Sequence, residues 1–255
     1  MSKHRVGDPR AVPFEAAHDG LPALSVARFN ANDWKQLFLS GRPWVPALEG
    51  DRTRWVDRPI REASVLIALT QSGGVLLTER SASMRDHAGQ VALPGGRIEP
   101  TDRDAVDAAF REAREEIGLD PGRLDALGLL PAYLTGSGYR VQAVVALVVG
   151  DLDLHGHLLP DPREVASIFE VPLSFLLEPR NHRRHYWQAP EGLRAYYSMP
   201  WFCDRREAMR LSCVSQGGED SASGREFFIW GATAAMLRNF YHLLHAHRDV
   251  FPIEL

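Results

Sequence analysis

With 255 residues, 45% of them hydrophobic and 24% charged, the chain has the composition of a soluble globular protein with ample material for a core. A net charge of −4 argues against a broad nucleic-acid footprint, yet leaves room for a local basic pocket that takes a nucleotide. Two cysteines, Cys203 and Cys213, are too few for a disulfide framework or a zinc cluster and read as reduced thiols. The stretch from Met1 to Pro9 lacks the apolar run of a signal peptide, and no segment reaches the ~18 apolar residues of a membrane span. The expectation is a cytoplasmic protein that engages neither membrane nor nucleic acid.

The first two dozen residues mix proline, glycine and charge without a period. Asn32-Asp33 then reads as the cap of a short helix through Trp34, Leu37 and Phe38, stopped by Gly41 and Pro43. We take residues 1–55 as an N-terminal extension and 56–255 as the main domain. The aliphatic runs 63–70 and 75–80, split by Gln71-Ser72-Gly73-Gly74, predict a hairpin. A second pair is predicted from 124–134 and 139–149 around Thr135-Gly136-Ser137-Gly138, and its run 143–149 is apolar enough for burial on both faces. Two further apolar runs, 165–169 and 171–177, follow the Pro160-Asp161-Pro162 loop. The basic group His182, Arg183, Arg184 and His185 reads as a solvated turn, and residues 215–224 as a flexible loop. From about Ala232 the pattern turns helical, with Met236 and Phe240 on a face that is either core or the surface of a homodimer. Strands on both sides of a central helix predict an α/β fold, a mixed sheet between helices.

The central helix carries the chemistry. Thr101-Asp102-Arg103-Asp104 reads as its capping box and Gly118 as its stop. Val106, Ala109, Phe110, Ala113 and Ile117 form one apolar face. At ~100° per residue, Glu112 and Glu116 fall about 40° apart beside that face. Two such carboxylates repel on a bare helix, by roughly 0.2–0.5 kcal/mol, and a hard divalent cation reverses the sign. A solvated face laced with ion pairs is the plain alternative for this charge run. The glycine turn Gly95-Gly96 upstream favours the metal, because it lets backbone approach a cation or a phosphate closely.

The combination resembles the box of the Nudix hydrolase family. After Gly96 come five residues, Asp102, eight residues, and then Arg111-Glu112-Ala113-Arg114-Glu115-Glu116-Ile117-Gly118-Leu119. Asp102 stands where the family has glutamate, one residue is added before Arg111, and Ala113 fills the bulky aliphatic position. Upstream, Leu76-Leu77-Thr78-Glu79-Arg80-Ser81, Arg85, Gly89 and Leu93-Pro94-Gly95-Gly96 resemble the signature of the coenzyme A diphosphatase branch, with Leu93 where phenylalanine is usual. The likeness runs over residues 60 to 245.

The resemblance implies an α/β/α sandwich and hydrolysis of a nucleoside diphosphate linked to another group, here coenzyme A or acyl-CoA. ADP-ribose, NADH or dinucleoside polyphosphates are the alternative substrates, and a catalytically silent nucleotide sensor is the alternative class. It implies Mg²⁺ or Mn²⁺ on Glu112 and Glu116, with Glu115 as a further ligand or as a base. Arg111 would hold a glutamate in place. Glu164, on the loop after Pro162, is a second candidate base. Arg80 and Arg85 are candidates for gripping phosphate, including the 3′-phosphate of coenzyme A, and Gly95 and Gly96 complete the substrate cradle.

Overall fold

The computed structural model describes residues 7–26, 30–51, 59–84, 87–189, 192–203, 214–215, 224–251 and 253–254. In chain order these form β1 (Phe14–Ala16), β2 (Ser25–Val26), α1 (Ala31–Leu39), β3 (Arg61–Leu69), β4 (Gly74–Arg80), β5 (Val91–Ala92), β6 (Gly95–Arg97) and α2 (Ala105–Ile117). Then follow β7 (Leu124–Leu129), β8 (Tyr133–Leu134), β9 (Tyr139–Val148), α3 (Leu154–His157), β10 (Val165–Pro172) and α4 (Leu173–Leu176). The remainder comprises β11 (Arg183–Ala189), β12 (Gly192–Cys203), β13 (Val214–Ser215), β14 (Arg225–Trp230), α5 (Gly231–Ala246) and β15 (Ile253–Glu254).

The main sheet runs β13-β10-β4-β3-β9-β7, with β5 on β4, β6 on β3 and β8 on β9. It is mixed: β3 and β9 are parallel and the other pairs antiparallel. The expected hairpin of β3 and β4 closes only at Leu69 opposite Val75. Beyond that pair β6 inserts against β3, which separates the two strands. The run is covered on both faces from Ala143 to Val148, as expected, whereas Val149 lies past the strand and is exposed. Val144, Ala146 and Val148 pack with Ala109, Ala113 and Ile117 of α2, whereas Ala143, Val145 and Leu147 pack with Trp34 of α1 and Leu237 and Phe240 of α5. This double burial is what a period of two dictates when helices cover both sides. Met236 and Phe240 are core.

A second sheet, β1-β11-β12-β14, was not foreseen. Its strands are rich in aromatic residues that stand in adjacent pairs, such as Tyr196-Tyr197 and Phe227-Phe228, and Phe169 of β10 stacks on Trp201 of β12 and Phe227 of β14, joining the two sheets. The 182–185 segment is therefore no solvated turn: His182 and His185 are buried, and Arg183 to His185 open β11. Of the 215–224 loop, Ser215 belongs to β13 and residues 216–223 lie outside the described residues, as does Cys213. Cys203 is buried in the core.

The N-terminal residues are woven into the rest. β1 pairs with β11, the Ala17 N–H donates to the His182 carbonyl, and Trp34 and Leu37 lie in the main core. We propose that residues 1–55 work as part of the 56–255 domain. The cap of α1 is Asn30, whose side chain accepts from the Asn32 N–H, two residues before the expected site.

Candidate active site

Helix α2 is capped by Asp104, not Thr101, through a bond from the Asp107 N–H. The Asp107 carboxylate reaches back to the Arg103 N–H, so the capping-box logic holds three residues later than expected. The helix ends at Gly118, whose φ of 69° is left-handed and suits glycine. Its last carbonyls are used: Ile117 accepts from the Leu159 N–H and Glu116 from the Asp161 N–H. At the other end the Ser64 hydroxyl donates to the Ala105 carbonyl at 2.6 Å. The helix is thus tied at both ends to the sheet and its loops, which fixes where its acidic flank faces.

That flank meets the glycine turn. The Gly95 N–H donates to Glu116 at 3.0 Å. A Cβ on Gly96 would come within 2.5 Å of the Glu112 carboxylate, and one on Gly95 would collide with the Ser64 carbonyl. Gly95 also has φ of 153°. Glycine is required here by space as well as by conformation. Arg80, at the end of β4, lies 3.7 Å from Glu116. Its Nε is buried and has no hydrogen-bond partner. Glu116, Gly95, Gly96, Glu112 and Arg80 are thus brought together, as the sequence suggested.

Arg111 organises the outer edge. Its guanidinium holds Asp102 through two bonds of 2.9 Å and also donates to Glu112 (3.0 Å), Glu115 (3.2 Å) and the Arg97 carbonyl (3.0 Å). Asp102, although shorter than glutamate, still makes a bidentate pair. Hydrogen bonding from Arg111 holds the Asp102 carboxyl below its ordinary range. Glu115 is not gathered with the other two glutamates. It is exposed and drawn aside by Arg111 four residues earlier, an ordinary i, i+4 pairing. Among the described residues no three His, Cys, Asp or Glu side chains form a ready metal cluster. Glu164 is exposed, on the loop expected for it, and its backbone carbonyl accepts from the Ser81 N–H. Arg85 lies outside the described residues. His87 bonds locally to Gln90.

Burial pushes the Glu116 carboxyl up to about 7, against the Gly95 N–H and Arg80, and the charges of Glu112 and Glu164 push the same way. Burial also raises Glu112, despite Arg111. Two desolvated carboxylates share this spot, Glu116 with Arg80 at 3.7 Å and Glu112 with an Arg111 that also serves Asp102 and Glu115. A hard divalent cation fits such a donor set, since it takes carboxylate oxygens and would restore both groups to their ionised form.

The site thus joins a glycine turn to an acidic helix packed on a mixed sheet between helices. The sequence matches the NUDIX domain over residues 60–193, more than half of the chain, and the protein belongs to the Nudix family. It is accordingly a hydrolase of phosphorus-containing anhydrides in nucleotide-type substrates. Relatives include the uncharacterized Nudix hydrolase NudL of Citrobacter koseri, 35% identical over 181 residues that cover 70% of this chain and 80% of the relative. NudL of Escherichia coli K12 is 33% identical over the same extent. Among solved structures, the MutT protein of Methanosarcina mazei superposes with a TM-score of 0.38 at 24% identity, covering 48% of this chain and 83% of that one. No helix among the described residues is long and apolar enough to cross a membrane.

Proposed function

We propose that the chain hydrolyses the diphosphate bond of coenzyme A or acyl-CoA, giving 4′-phosphopantetheine or its acylated form and adenosine 3′,5′-bisphosphate. The observation that carries this reading is the run from Leu76 to Gly96. It is the segment that leads from β4 into the cradle, and it ends on the glycines that touch Glu112 and Glu116. The departures from the branch pattern concern packing. Leu93 and Ala113 are both buried in the core, so neither shapes a substrate wall.

Glu112 and Glu116 would hold Mg²⁺ or Mn²⁺, with Glu115 joining only by leaving Arg111. Such an ion supplies charge neutralisation at the diphosphate oxygens and a more acidic water. Arg80, whose Nη1 lies 3.7 Å from Glu116 and whose side chain is partly exposed, binds the scissile diphosphate. Gly95 orients the Glu116 carboxylate through its N–H, and Arg111 positions Glu112. Glu164 is the better base, because its charge already bears on Glu112 and Glu116 while Glu115 is held by Arg111. In the reaction water attacks one phosphorus and gives its proton to Glu164. The bridging P–O bond breaks, and each half leaves as a phosphate monoester.

A panel of coenzyme A, acyl-CoA, ADP-ribose and NADH with Mg²⁺ or Mn²⁺, read by product mass, tests the reading. The expected products are 4′-phosphopantetheine and adenosine 3′,5′-bisphosphate. Faster turnover of ADP-ribose or NADH than of either coenzyme A form would overturn it.

A further inference from the structure

Arg184, from the basic group at the start of β11, lines a cavity of about 300 Å³ on the α5 side of the molecule. Its walls include Arg184 and Tyr186 of β11, Ala195 and Tyr197 of β12, and Asp51 and Tyr133. Arg184 donates to both oxygens of Asp19, at 2.9 and 2.7 Å, and to the Tyr186 hydroxyl at 3.2 Å. Arg238 of α5, 2% exposed, donates to the same Asp19 carboxylate at 2.8 Å, to the Ala17 carbonyl, and contacts His182 Nδ1. Both guanidiniums lie over the Tyr197 ring, with Cζ at 5.5 and 4.8 Å from its centroid.

The balance is wrong for a purely structural cluster. Two cations share one carboxylate that is itself 45% exposed. Arg184, whose side chain stays 27% exposed, commits one Nη1 N–H to Tyr186 and its Nη2 to Asp19, which leaves a second Nη1 N–H for a ligand in the cavity. Asp51, on the far wall, accepts from the Tyr133 hydroxyl at 2.5 Å and the Gly136 N–H at 2.7 Å, so its oxygens are turned towards these two donors. An anion small enough for this space, with oxygens for a guanidinium and hydroxyls for tyrosine and Asp51, completes the set. We propose that this cavity is a binding site for a phosphate monoester, held principally by Arg184 with Arg238 adding to the positive field.

The cavity wall and the strand that carries the glycine turn share one row of the main sheet. Across the main sheet Arg97, Ala63, Val141 and Tyr133 stand in one row, so Tyr133 is three strand spacings, ~14 Å, from the residue that follows Gly96. The monoester could therefore be part of the substrate, an arm that rests on the coenzyme A reading, or free phosphate acting on its own. Titration calorimetry of the full-length protein with inorganic phosphate separates the proposal from its failure. Wild type should bind saturably, and Arg184→Gln should weaken binding about tenfold or more. Ala195→Phe, at an exposed position that fills the cavity without removing charge, should do the same while melting like wild type. Undiminished binding in both variants, or no saturable binding by wild type, would overturn the proposal. Turnover then assigns the source. A raised KM for coenzyme A but not for dephospho-coenzyme A in Arg184→Gln supports the substrate's own phosphate, and loss of phosphate binding with unchanged turnover supports free phosphate. Should the protein cleave neither compound, the coenzyme A reading fails while the phosphate titration still decides the cavity.

Discussion

The two sides of this molecule bury charge in opposite proportions. On the α2 side, Glu112 and Glu116 are desolvated and Arg80 stands 3.7 Å from the nearer one. On the α5 side, Arg184 and Arg238 are drawn to a single half-exposed Asp19. Neither region resembles the balanced surface pair Arg103–Asp107, where one cation meets one anion in water. Burying charge in unequal numbers is costly, and on the proposals made above the first region takes a cation and the second an anion.

The comparison breaks first at the carboxylates. Glu112→Gln and Glu116→Gln should each lower turnover by orders of magnitude with the fold intact, measured at saturating Mg²⁺. The same Glu116→Gln should stabilise the protein in chelator. Moving that carboxyl from 4.5 to about 7 corresponds to roughly 3 kcal/mol of burial strain above neutral pH. A variant that is less active but more stable without metal would mark the carboxylate as functional; equal stability by urea denaturation would count against the account.

The pH dependence sharpens the contrast. In the metal-free protein, Glu116 keeps a proton that the unfolded chain releases near 4.5, so its contribution is full below that pH and is lost as pH rises towards 7. His182 and His242, lowered to about 4 by burial, stay neutral while unfolded imidazole takes up a proton near 6.5. Their contribution is full above 6.5 and is lost as pH falls towards 4. Between 4.5 and 6.5 the two regions pull against each other. Removing the carboxylate in Glu116→Gln should therefore steepen the rise of stability with pH by about 1.4 kcal/mol per pH unit. Parallel wild-type and variant curves in chelator would contradict this.

Smaller effects follow at the supports. Arg111→Lys loses the two-pronged hold on Asp102 and the bonds to Glu112 and Arg97, and should cost about 1–3 kcal/mol as well as turnover. Asp104→Ala, away from the acidic flank, should cost about 1 kcal/mol in thermal or urea unfolding and leave turnover unchanged.

The first region was legible in the sequence and the second was not, for a physical reason. Glu112, Glu116 and Gly118 sit on one helix, where a period of 3.6 converts spacing directly into geometry, and Gly95-Gly96 is close enough in the chain to be read with them. The caps were misplaced because several Asp, Asn and Thr residues near each helix start can accept the same N–H, and only the backbone's entry angle chooses Asn30 and Asp104. Arg184, Arg238 and Asp19 come from three distant segments. A run such as His182 to His185 looks solvated until β1, β12 and α5 close over it. The density of aromatic residues in β11, β12 and β14 is the signal in the sequence for the second sheet.

The central claim is that Glu112 and Glu116 bind a divalent cation together. Anomalous diffraction from crystals of the full-length protein soaked in Mn²⁺ tests it most directly. The account predicts a manganese peak shared by the two carboxylates beside Gly95 and Gly96. A peak elsewhere, with both carboxylates left to the Gly95 N–H, Arg80 and Arg111, would contradict it.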